Sequence, residues 1–287
     1  MTPLRVLSRL FLLLIWFGSM ALSLALLAPV GRLVRAKRWQ SARIIPWHLR
    51  AISHAIGLRI RWQGACPPSS TFLMLANHAS YLDVIALGSL CPLGFMAKQE
   101  VSAWPLIGFL AKRGTAVFVD RECPGSRVRA LFAAKRILRD QISSLCIFPE
   151  GTTTAAVRPS LKTWHRGNIA LSDRGRIETL CVGLHYEDHA SLAWIDDQGL
   201  LPHLVKVLAR RKVELFINAQ TLNVSEDVSP RAMSQLAHKT ICRLSDSAAE
   251  RAQYAKARHQ WKSSPAHFFR SQPWMFSTLD IEKSQKD

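Results

Sequence analysis

The sequence predicts an α/β fold with a largely parallel central sheet flanked by helices. Short apolar runs with the length and composition of buried strands recur through the chain, and helical patterns separate several of them. Strands that alternate with helices form parallel sheets, because each helix returns the chain to the same end of the sheet. We expect membrane-anchoring helices at 1–56, the α/β domain at 57–252 and a basic aromatic tail at 253–287.

The first 56 residues predict an N-terminal membrane helix and an interfacial helix. Residues 10–30 carry no charge and are long enough to span a bilayer. A cleaved signal peptide is the alternative, but the run is followed by a basic stretch and not by a small-residue cleavage site. Because the heavier positive flank lies after the run, we expect the rest of the chain on the cytoplasmic side of the inner membrane. Residues 39–56 predict one or two helices, broken at Pro46, that lie in the lipid interface or pack on the core. Both helices could also dip into one leaflet without crossing it.

Seven runs predict the strands. Leu58, Ile60 and Trp62 alternate with arginines, as in a half-buried strand. The other six are expected at 72–76, 95–97, 115–119, 145–148, 179–184 and 213–217.

Helices are expected between several of these strands and after the last one. One begins near Trp104, a basic helix covers 125–140, and an apolar stripe at helical spacing extends from Met233 to Leu244. The tail after about residue 255 either anchors at the lipid interface or packs poorly; its aromatic residues are Trp261, Phe268, Phe269, Trp274 and Phe276.

Composition restricts the partners. The net charge of +18, from 38 basic and 20 acidic residues, indicates an anionic partner such as membrane lipid, nucleic acid or a phosphorylated substrate. No acidic residue precedes Asp83. The six cysteines show no CxxC spacing and no Cys/His cluster, which indicates reduced cytosolic thiols and neither disulfides nor a metal site. We interpret His165, His185, His189 and His203 as structural or surface residues.

A histidine and a carboxylate follow the strand at 72–76. His78 and Asp83 can meet only if the chain turns after His78 and Asp83 lies in the first turn of a new helix. The carboxylate would then hold one imidazole nitrogen and leave the other free to act as a general base on a hydroxyl. The alternative is a strand-end histidine with Asp83 as a helix cap.

Two further strands are followed by charged side chains that could meet at one edge of the sheet. Arg121 follows the strand at 115–119 and could clamp an anion with two parallel hydrogen bonds, or form a salt bridge with Asp120 or Glu122. Glu150 follows the strand at 145–148 and could accept hydrogen bonds from substrate hydroxyls, or be a structural turn residue. Lys98 ends a strand near the same edge and adds positive charge there or is merely solvated.

Together these motifs resemble the glycerolipid (lysophospholipid) acyltransferase family over roughly residues 45–220. Asn77, His78 and Asp83 match the first family block, NHxxxxD. The second block, GxxFxxR, is assigned to Gly114, Phe118 and Arg121. The third, FPEGT, is matched without departure by Phe148, Pro149, Glu150, Gly151 and Thr152.

Two features of the sequence concern the identity of the acceptor lipid. The fourth family block has a proline in a hydrophobic strand, whereas Gly183 stands near that position here, which makes the acceptor less certain. The stretches 193–197 and 201–204 resemble members that acylate lyso-ornithine lipid. The first expectation is 1-acylglycerol 3-phosphate, giving phosphatidic acid, and lyso-ornithine lipid is the alternative.

The resemblance implies direct acyl transfer from an acyl carrier protein or acyl-CoA thioester to a lysolipid at an anionic membrane, with no acyl-enzyme. His78 would be the general base, and Asp83 would orient it. Arg121 would hold the acceptor phosphate, or the ornithine carboxylate, and Glu150 with Gly151 would position the glycerol part. The thioester carries its own activation, so no metal or redox cofactor is expected.

Two other classes fit parts of the sequence. A membrane-anchored module that binds nucleic acid or anionic lipid without catalysis would explain the charge, although it leaves His78 and Glu150 at buried strand ends unexplained. A soluble thioester hydrolase would release fatty acid with or without a lysolipid.

Overall fold

The computed structural model describes residues 2–33, 37–173, 176–195, 198–223 and 228–263. Within these ranges seven strands form the sheet: β1 Leu58–Gly64, β2 Leu73–Ala76, β3 Leu93–Lys98, β4 Val117–Val119, β5 Ser144–Ile147, β6 Thr179–Tyr186 and β7 Val213–Thr221. The same ranges contain eight α-helices: α1 Thr2–Leu33, α2 Lys37–Ile56, α3 Leu82–Leu90, α4 Ile107–Arg113, α5 Pro124–Arg139, α6 His189–Leu192, α7 Leu200–Ala209 and α8 Pro230–Ser263. Two 3₁₀ helices cover Gln99–Ala103 and Arg166–Ser172.

The sheet confirms the predicted fold class and all seven strands. Its order is β1-β7-β6-β2-β5-β3-β4. The β6–β7 pair is antiparallel and the other five neighbouring pairs are parallel. Strands β6, β2, β5, β3 and β4 therefore run in one direction, and their carboxyl ends meet at a single edge of the sheet.

Each face of the sheet is covered by its own set of helices, because successive strand residues point to opposite sides. Met74 and Ala76 of β2 join a core with α1, α2, α3 and α7. Leu73 and Leu75 face the other way, into a core with α5 and α8. Both faces are buried, which explains why β2, β5 and β6 are apolar without alternation.

Helix α1 lies along the first of these faces. Near its start, the Arg9 guanidinium donates hydrogen bonds to the carbonyls of Leu208, Arg210 and Arg211 at the end of α7, at 3.1, 2.6 and 3.1 Å. Farther along, the Leu24 carbonyl accepts a bond of 3.3 Å from Arg113 of α4. Residues 2–26 are long and apolar enough to cross a membrane by length and composition, and only 17% of their apolar window is buried inside the protein.

Helix α2 corrects one expectation. It continues through Pro46, where the sequence predicts a possible break. The proline removes one backbone donor, but the following turns are held by Leu49, Ile52 and Ile56, which are buried in the core with α1 and α3. The core-packing alternative therefore describes the second half of this helix, while Trp47 faces outward.

The connections around β6 and the end of the chain add further detail. Helices α6 and α7, between β6 and β7, are not among the sequence predictions. The helix expected from Trp104 begins at Ile107, after a 3₁₀ turn. Helix α8 covers the predicted stripe and continues to Ser263. The aromatic side chains of the tail, from Trp261 onward, lie outside the described part of the chain.

Candidate active site

His78 and Asp83 meet at the carboxyl end of β2, as the spacing predicts. The chain leaves β2 at Ala76, turns, and enters α3 at Leu82, which places Asp83 in the first helical turn. His78 Nδ1 lies 2.8 Å from Asp83 Oδ2. The Asp83 side chain is fully buried, whereas that of His78 keeps 16% of its surface exposed. The imidazole is thus held from inside the protein and open on its outer side.

Three further donors fix the Asp83 carboxylate. Its Oδ2 accepts the backbone N–H groups of Ala79 and Ser80 at 2.8 and 2.9 Å, and its Oδ1 accepts the hydroxyl of Tyr186 at 2.5 Å. An ionised carboxylate only accepts, so Nδ1 of His78 carries a hydrogen and Nε2 of the neutral ring is an acceptor. No described residue occupies Nε2, which is therefore available to take a proton.

Tyr186 is a site residue that the sequence predictions missed. It ends β6 and is fully buried, and burial together with the nearby Asp83 raises the pKa of its hydroxyl well above the ordinary value. The group therefore remains a donor to Asp83. It continues the alternation of Leu180, Val182 and Leu184, so extending the predicted strand by one repeat would have placed it on the core face, though not beside Asp83.

The ring of Phe148 stacks on the imidazole of His78. Their centroids are 3.8 Å apart and their planes differ by 10°. Phe95 stacks behind Phe148 with a centroid distance of 6.3 Å. Phe148 is predicted as a substrate-binding residue, but its contact in the structure is with His78, whose orientation it restricts.

Asn77 also holds the framework. Its side-chain amide donates to the Leu184 carbonyl at 3.0 Å and accepts the Leu184 N–H at 2.8 Å, so it extends the pairing of β2 with β6 by one step. The residue is buried and both of its polar atoms are occupied. This geometry favours a positioning role for Asn77 over the predicted contact with substrate.

Glu150 lies at the end of β5, beside the His78 loop. Its Oε1 accepts the Ser160 N–H at 2.9 Å, while its Oε2 is buried and has no hydrogen-bond partner among the described residues. Burial raises the pKa of this carboxyl to about 7, although the bond from the Ser160 N–H and the His78 N–H nearby, which lies outside hydrogen-bond geometry, oppose the shift. A buried oxygen without a partner is costly, so this atom is suited to a hydroxyl or ammonium donor from a ligand.

The turn after Glu150 requires a glycine. Gly151 has φ of +73°, and a Cβ there would lie 3.0 Å from His165 Nε2 and 3.9 Å from Arg121 Cζ. The Pro149 carbonyl accepts the His165 N–H at 2.8 Å. Thr152 is exposed at the tip of the turn. The turn therefore brings Gly151, within the FPEGT motif, close to the Arg121 side chain.

Arg121 comes two residues after β4 and is half-buried. It forms no ion pair with any described residue, so the predicted alternative of a bridge to Asp120 or Glu122 is not present in this part of the chain. Burial lowers the pKa of the guanidinium, and Glu100 partly offsets that effect. An unpaired cation next to Gly151 is suited to an anionic group of a ligand.

The other predicted binding residues lie at varied distances from this centre. Lys98 ends β3 beside Val119 of β4 and is exposed, and Phe118 lies half-buried within β4. Gly114 ends α4, ahead of β4 and away from the edge where Arg121 lies. Three residues separate Gly114 from Phe118, whereas the GxxFxxR block has two. The spacing of Gly114 therefore does not fit the block, and its assignment to the block is wrong.

Of the other histidines considered in the sequence, His185, His189 and His203 are buried, whereas His165 is exposed. His185 and His189 stack with centroids 4.2 Å apart, and burial lowers the pKa of His185 to about 4, so this pair is neutral near pH 7. No group of three His, Cys, Asp or Glu side chains within the described ranges could hold a metal ion.

A segment after β6 packs directly on the His78 block. The Trp194 N–H donates to the Ala79 carbonyl at 2.8 Å, and the Thr153 hydroxyl donates to the Trp194 carbonyl. The Tyr81 ring meets Trp194 edge to face at 5.7 Å, and its hydroxyl lies 3.2 Å from His203 Nδ1. This segment therefore forms one wall beside His78.

Comparisons with known proteins agree on one chemistry. Residues 58–176 match the family model described as Acyltransferase. A lyso-ornithine lipid O-acyltransferase of Pseudomonas aeruginosa is 34% identical over 179 residues, covering 61% of this chain and 67% of that protein. A protein of the same name from Rhizobium meliloti is 29% identical over 233 residues, covering 74% and 76%.

Proteins that act on a second acceptor are also similar. A 1-acyl-sn-glycerol-3-phosphate acyltransferase of Neisseria gonorrhoeae is 41% identical over 153 residues, covering 51% of this chain and 58% of that protein. The crystal structure of PlsC, the 1-acyl-sn-glycerophosphate acyltransferase of Thermotoga maritima, superimposes with a TM-score of 0.51 at 16% identity, covering 86% of this chain and 97% of that one. That likeness shows a shared fold.

Proposed function

The chain belongs to the acyltransferase family, and from this premise we propose that His78 is the general base that activates the free hydroxyl of a lysolipid acceptor. Membership of the family makes the protein an acyltransferase with an acyl donor and a lysolipid acceptor. The observation that carries the proposal is the buried bond between His78 Nδ1 and Asp83 Oδ2, which leaves Nε2 free at the sheet edge.

The proposed reaction is a direct transfer. His78 Nε2 takes the hydroxyl proton while that oxygen attacks the thioester carbonyl carbon. The tetrahedral intermediate collapses, the C–S bond breaks, and the departing thiolate receives the proton back from His78. Asp83 stabilises the imidazolium that exists between these steps. The thioester is already activated, so the proposal includes no metal or redox cofactor.

Two groups near His78 are proposed to hold the acceptor. Arg121 is a half-buried cation without an ion pair among the described residues, and it can bind a planar or tetrahedral anion. Glu150 offers its Oε2, which has no hydrogen-bond partner in the described part of the chain, to a hydroxyl or ammonium group of the same molecule. Gly151 keeps the space between them open, because any side chain there would meet His165.

We propose lyso-ornithine lipid as the preferred acceptor and 1-acylglycerol 3-phosphate as the second candidate. The first is favoured by the segment that includes Trp194 and His203, which resembles lyso-ornithine-acylating members and packs on Ala79 and Tyr81 of the His78 block. Arg121 would then hold the ornithine carboxylate in place of a phosphate. The relatives with this activity in their names support the same choice.

An acceptor panel tests the proposal. Membranes containing the protein would receive a labelled acyl thioester together with lyso-ornithine lipid, 1-acylglycerol 3-phosphate or another lysophospholipid, with acyl carrier protein and coenzyme A as donors in separate arms. We expect labelled diacyl product, formed fastest from lyso-ornithine lipid. Release of free fatty acid at the same rate without any lysolipid would contradict acyl transfer.

The enzyme is proposed to work at the cytoplasmic surface of the inner membrane. Acceptor and product are amphiphiles that remain in the bilayer, and α1 offers a long apolar surface on one side of the domain. Arg5 and Arg9 bind α7, and Leu24 binds α4, so this helix lies beside the domain and does not project from it. That arrangement supports insertion of α1 into one leaflet.

A further inference from the structure

Helix α5 exposes apolar and basic side chains on its outer face. Ala130, Ala134 and Leu138 lie on the buried face of the helix. On the opposite face Val128 and Phe132, one turn apart, are 52% and 70% exposed. Basic residues surround them on this outer face, which we call the α5 surface: Arg129, Arg136 and Arg139.

The α5 surface has a strong positive charge. The helix contains five basic residues and no acidic one. Lys135 and Arg136 have carboxylate partners in Asp173 and Asp140, at 2.9 and 3.4 Å, whereas Arg129 and Arg139 pair with no described carboxylate. A large exposed aromatic ring among arginines, two of them without a described carboxylate partner, is the composition of an interface centre and not of an ordinary solvated surface.

The position of the α5 surface relates it to the active site. Helix α5 begins three residues after Arg121, at the edge of the sheet where His78 and Glu150 lie. Val128 and Phe132 follow its first residue by about 6 and 12 Å along the helix axis. A partner bound there could deliver a flexible thioester arm to His78 around the start of the helix.

We propose that the α5 surface docks an acidic, helical acyl carrier protein that presents the thioester donor. The inference rests on the proposed acyl transfer and assigns the donor class and its docking site. Phe132 and Val128 would enter an apolar groove of the carrier, and the flanking arginines would meet its carboxylates. Electrostatic attraction would also speed the encounter and make it sensitive to salt.

Other occupants fit this surface less well. A membrane is disfavoured because α5 covers the face of the sheet opposite to α1 and α2. The segment 264–287 contains three basic and three acidic residues, so it has no net charge with which to complement the arginines. An acidic soluble protein complements both the charge and the location.

Paired variants of the full-length protein in nanodiscs test the inference. Phe132→Ser with Arg129→Glu alters the α5 surface. Leu236→Ser with Lys239→Glu makes the same chemical changes on exposed residues of α8, where Leu236 is 42% exposed. Initial rates would be measured with acyl carrier protein and coenzyme A thioesters, and binding of the carrier protein would be measured by fluorescence anisotropy at two salt concentrations.

We expect the α5 variant to raise KM for the carrier thioester about tenfold or more, because truncating an interface anchor costs at least that factor in affinity, and to weaken the salt dependence of carrier binding. Its rate with acyl-CoA, and both rates of the α8 control, should stay within about twofold of wild type. Four results would overturn the inference: an equal loss of rate with both donors, unchanged carrier binding by the α5 variant, weaker binding of this variant to lipid vesicles, or tighter carrier binding after removal of residues 264–287.

The binding arm separates this inference from the proposed reaction. A His78→Ala protein should still bind the carrier at the α5 surface although it transfers nothing. If wild-type protein shows no acyl transfer with either donor, the proposed function fails whatever the carrier binding shows. If wild type uses acyl-CoA and neither uses nor binds the carrier protein, only the docking inference fails.

Discussion

Asp83 accepts hydrogen bonds from His78, Ala79, Ser80 and Tyr186 while its side chain is fully buried. A buried carboxylate without such donors would be strongly destabilised, because it loses its hydration. The donors also leave it only one arrangement, since each oxygen is held from a different element. Because His78 Nδ1 is bonded to the fixed Oδ2, the orientation of the imidazole ring is fixed as well.

Replacing Tyr186 by Phe tests the support beneath Asp83. The change removes the hydroxyl donor to Oδ1 and leaves that oxygen without a partner, a loss of about 1.5–3 kcal/mol for a bond to a charged group. We expect kcat to fall about tenfold or more, with KM for both substrates within about twofold. Tyr254→Phe, on an exposed residue of α8, is the matched control. Wild-type kcat in the Tyr186 variant would show that Oδ1 needs no donor.

Glu150 gives the protein a pH-dependent stability. Its carboxyl has a pKa of about 7 in the fold against an ordinary 4.5, so the folded protein retains a proton that the unfolded chain has released. This contribution is complete below the unfolded pKa and is lost as pH rises through about 7. We expect Glu150→Gln to flatten the fall in melting temperature across that interval. An equally steep fall in the variant would assign the effect to another group.

At the level of elements, the strand ends explain which parts of the site the sequence could predict. His78 and Glu150 follow apolar runs, and Arg121 follows a third, so convergence at one sheet edge could be inferred from pattern alone. The contact of His78 with Asp83 also follows from their spacing. Tyr186 could not be linked to Asp83, because that bond joins residues 103 positions apart through the β2–β6 pairing.

Other features could not be predicted, because they depend on packing between residues that are distant in sequence. The antiparallel β6–β7 pair follows from where α6 and α7 return the chain, and neither helix was predicted. Pro46 lies inside a continuous helix because α1 and α3 hold the turns after it. The contacts of Asn77 with Leu184 and of Phe148 with His78 could not be predicted for the same reason, since these partners are distant in sequence.

Gly183 is a test of packing between β6 and α8. A Cβ there would lie 2.2 Å from Ser245 N and 2.3 Å from the Leu244 carbonyl carbon, so the helix backbone would have to move. We expect Gly183→Ala to cost about 1–3 kcal/mol of stability and to lower the melting temperature by several degrees. In the control Gly125→Ala the nearest contact is the flexible Arg129 side chain at 3.4 Å, and little change is expected. Equal melting of both variants would contradict the close approach.

At the scale of the whole molecule, the apolar outer surface of α1 and the α5 surface lie on opposite sides of the sheet. Helix α1 exposes Leu4, Leu7, Phe11 and Leu14 on one side, and the α5 surface lies on the other. The site edge lies between the two layers. A lysolipid from the membrane and a soluble donor could therefore approach the same histidine from different directions.

Membrane attachment through α1 is directly measurable. We expect the full chain to remain in the membrane pellet after alkaline carbonate washing, because α1 is long and apolar enough for its exposed surface to insert into lipid. A chain lacking residues 2–33 should be released to a larger extent. Complete release of the full chain by carbonate would contradict insertion of this helix.

The central claim is that His78, oriented by Asp83, activates the acceptor hydroxyl. Its most direct measurement is the initial rate of labelled diacyl-lipid formation by wild type, His78→Ala and Asp83→Asn in membranes, with correct folding checked by thermal melting. We predict that His78→Ala lowers the rate by about 10²–10⁴-fold and that Asp83→Asn also lowers it substantially. Transfer by the His78→Ala protein at the wild-type rate would contradict the account.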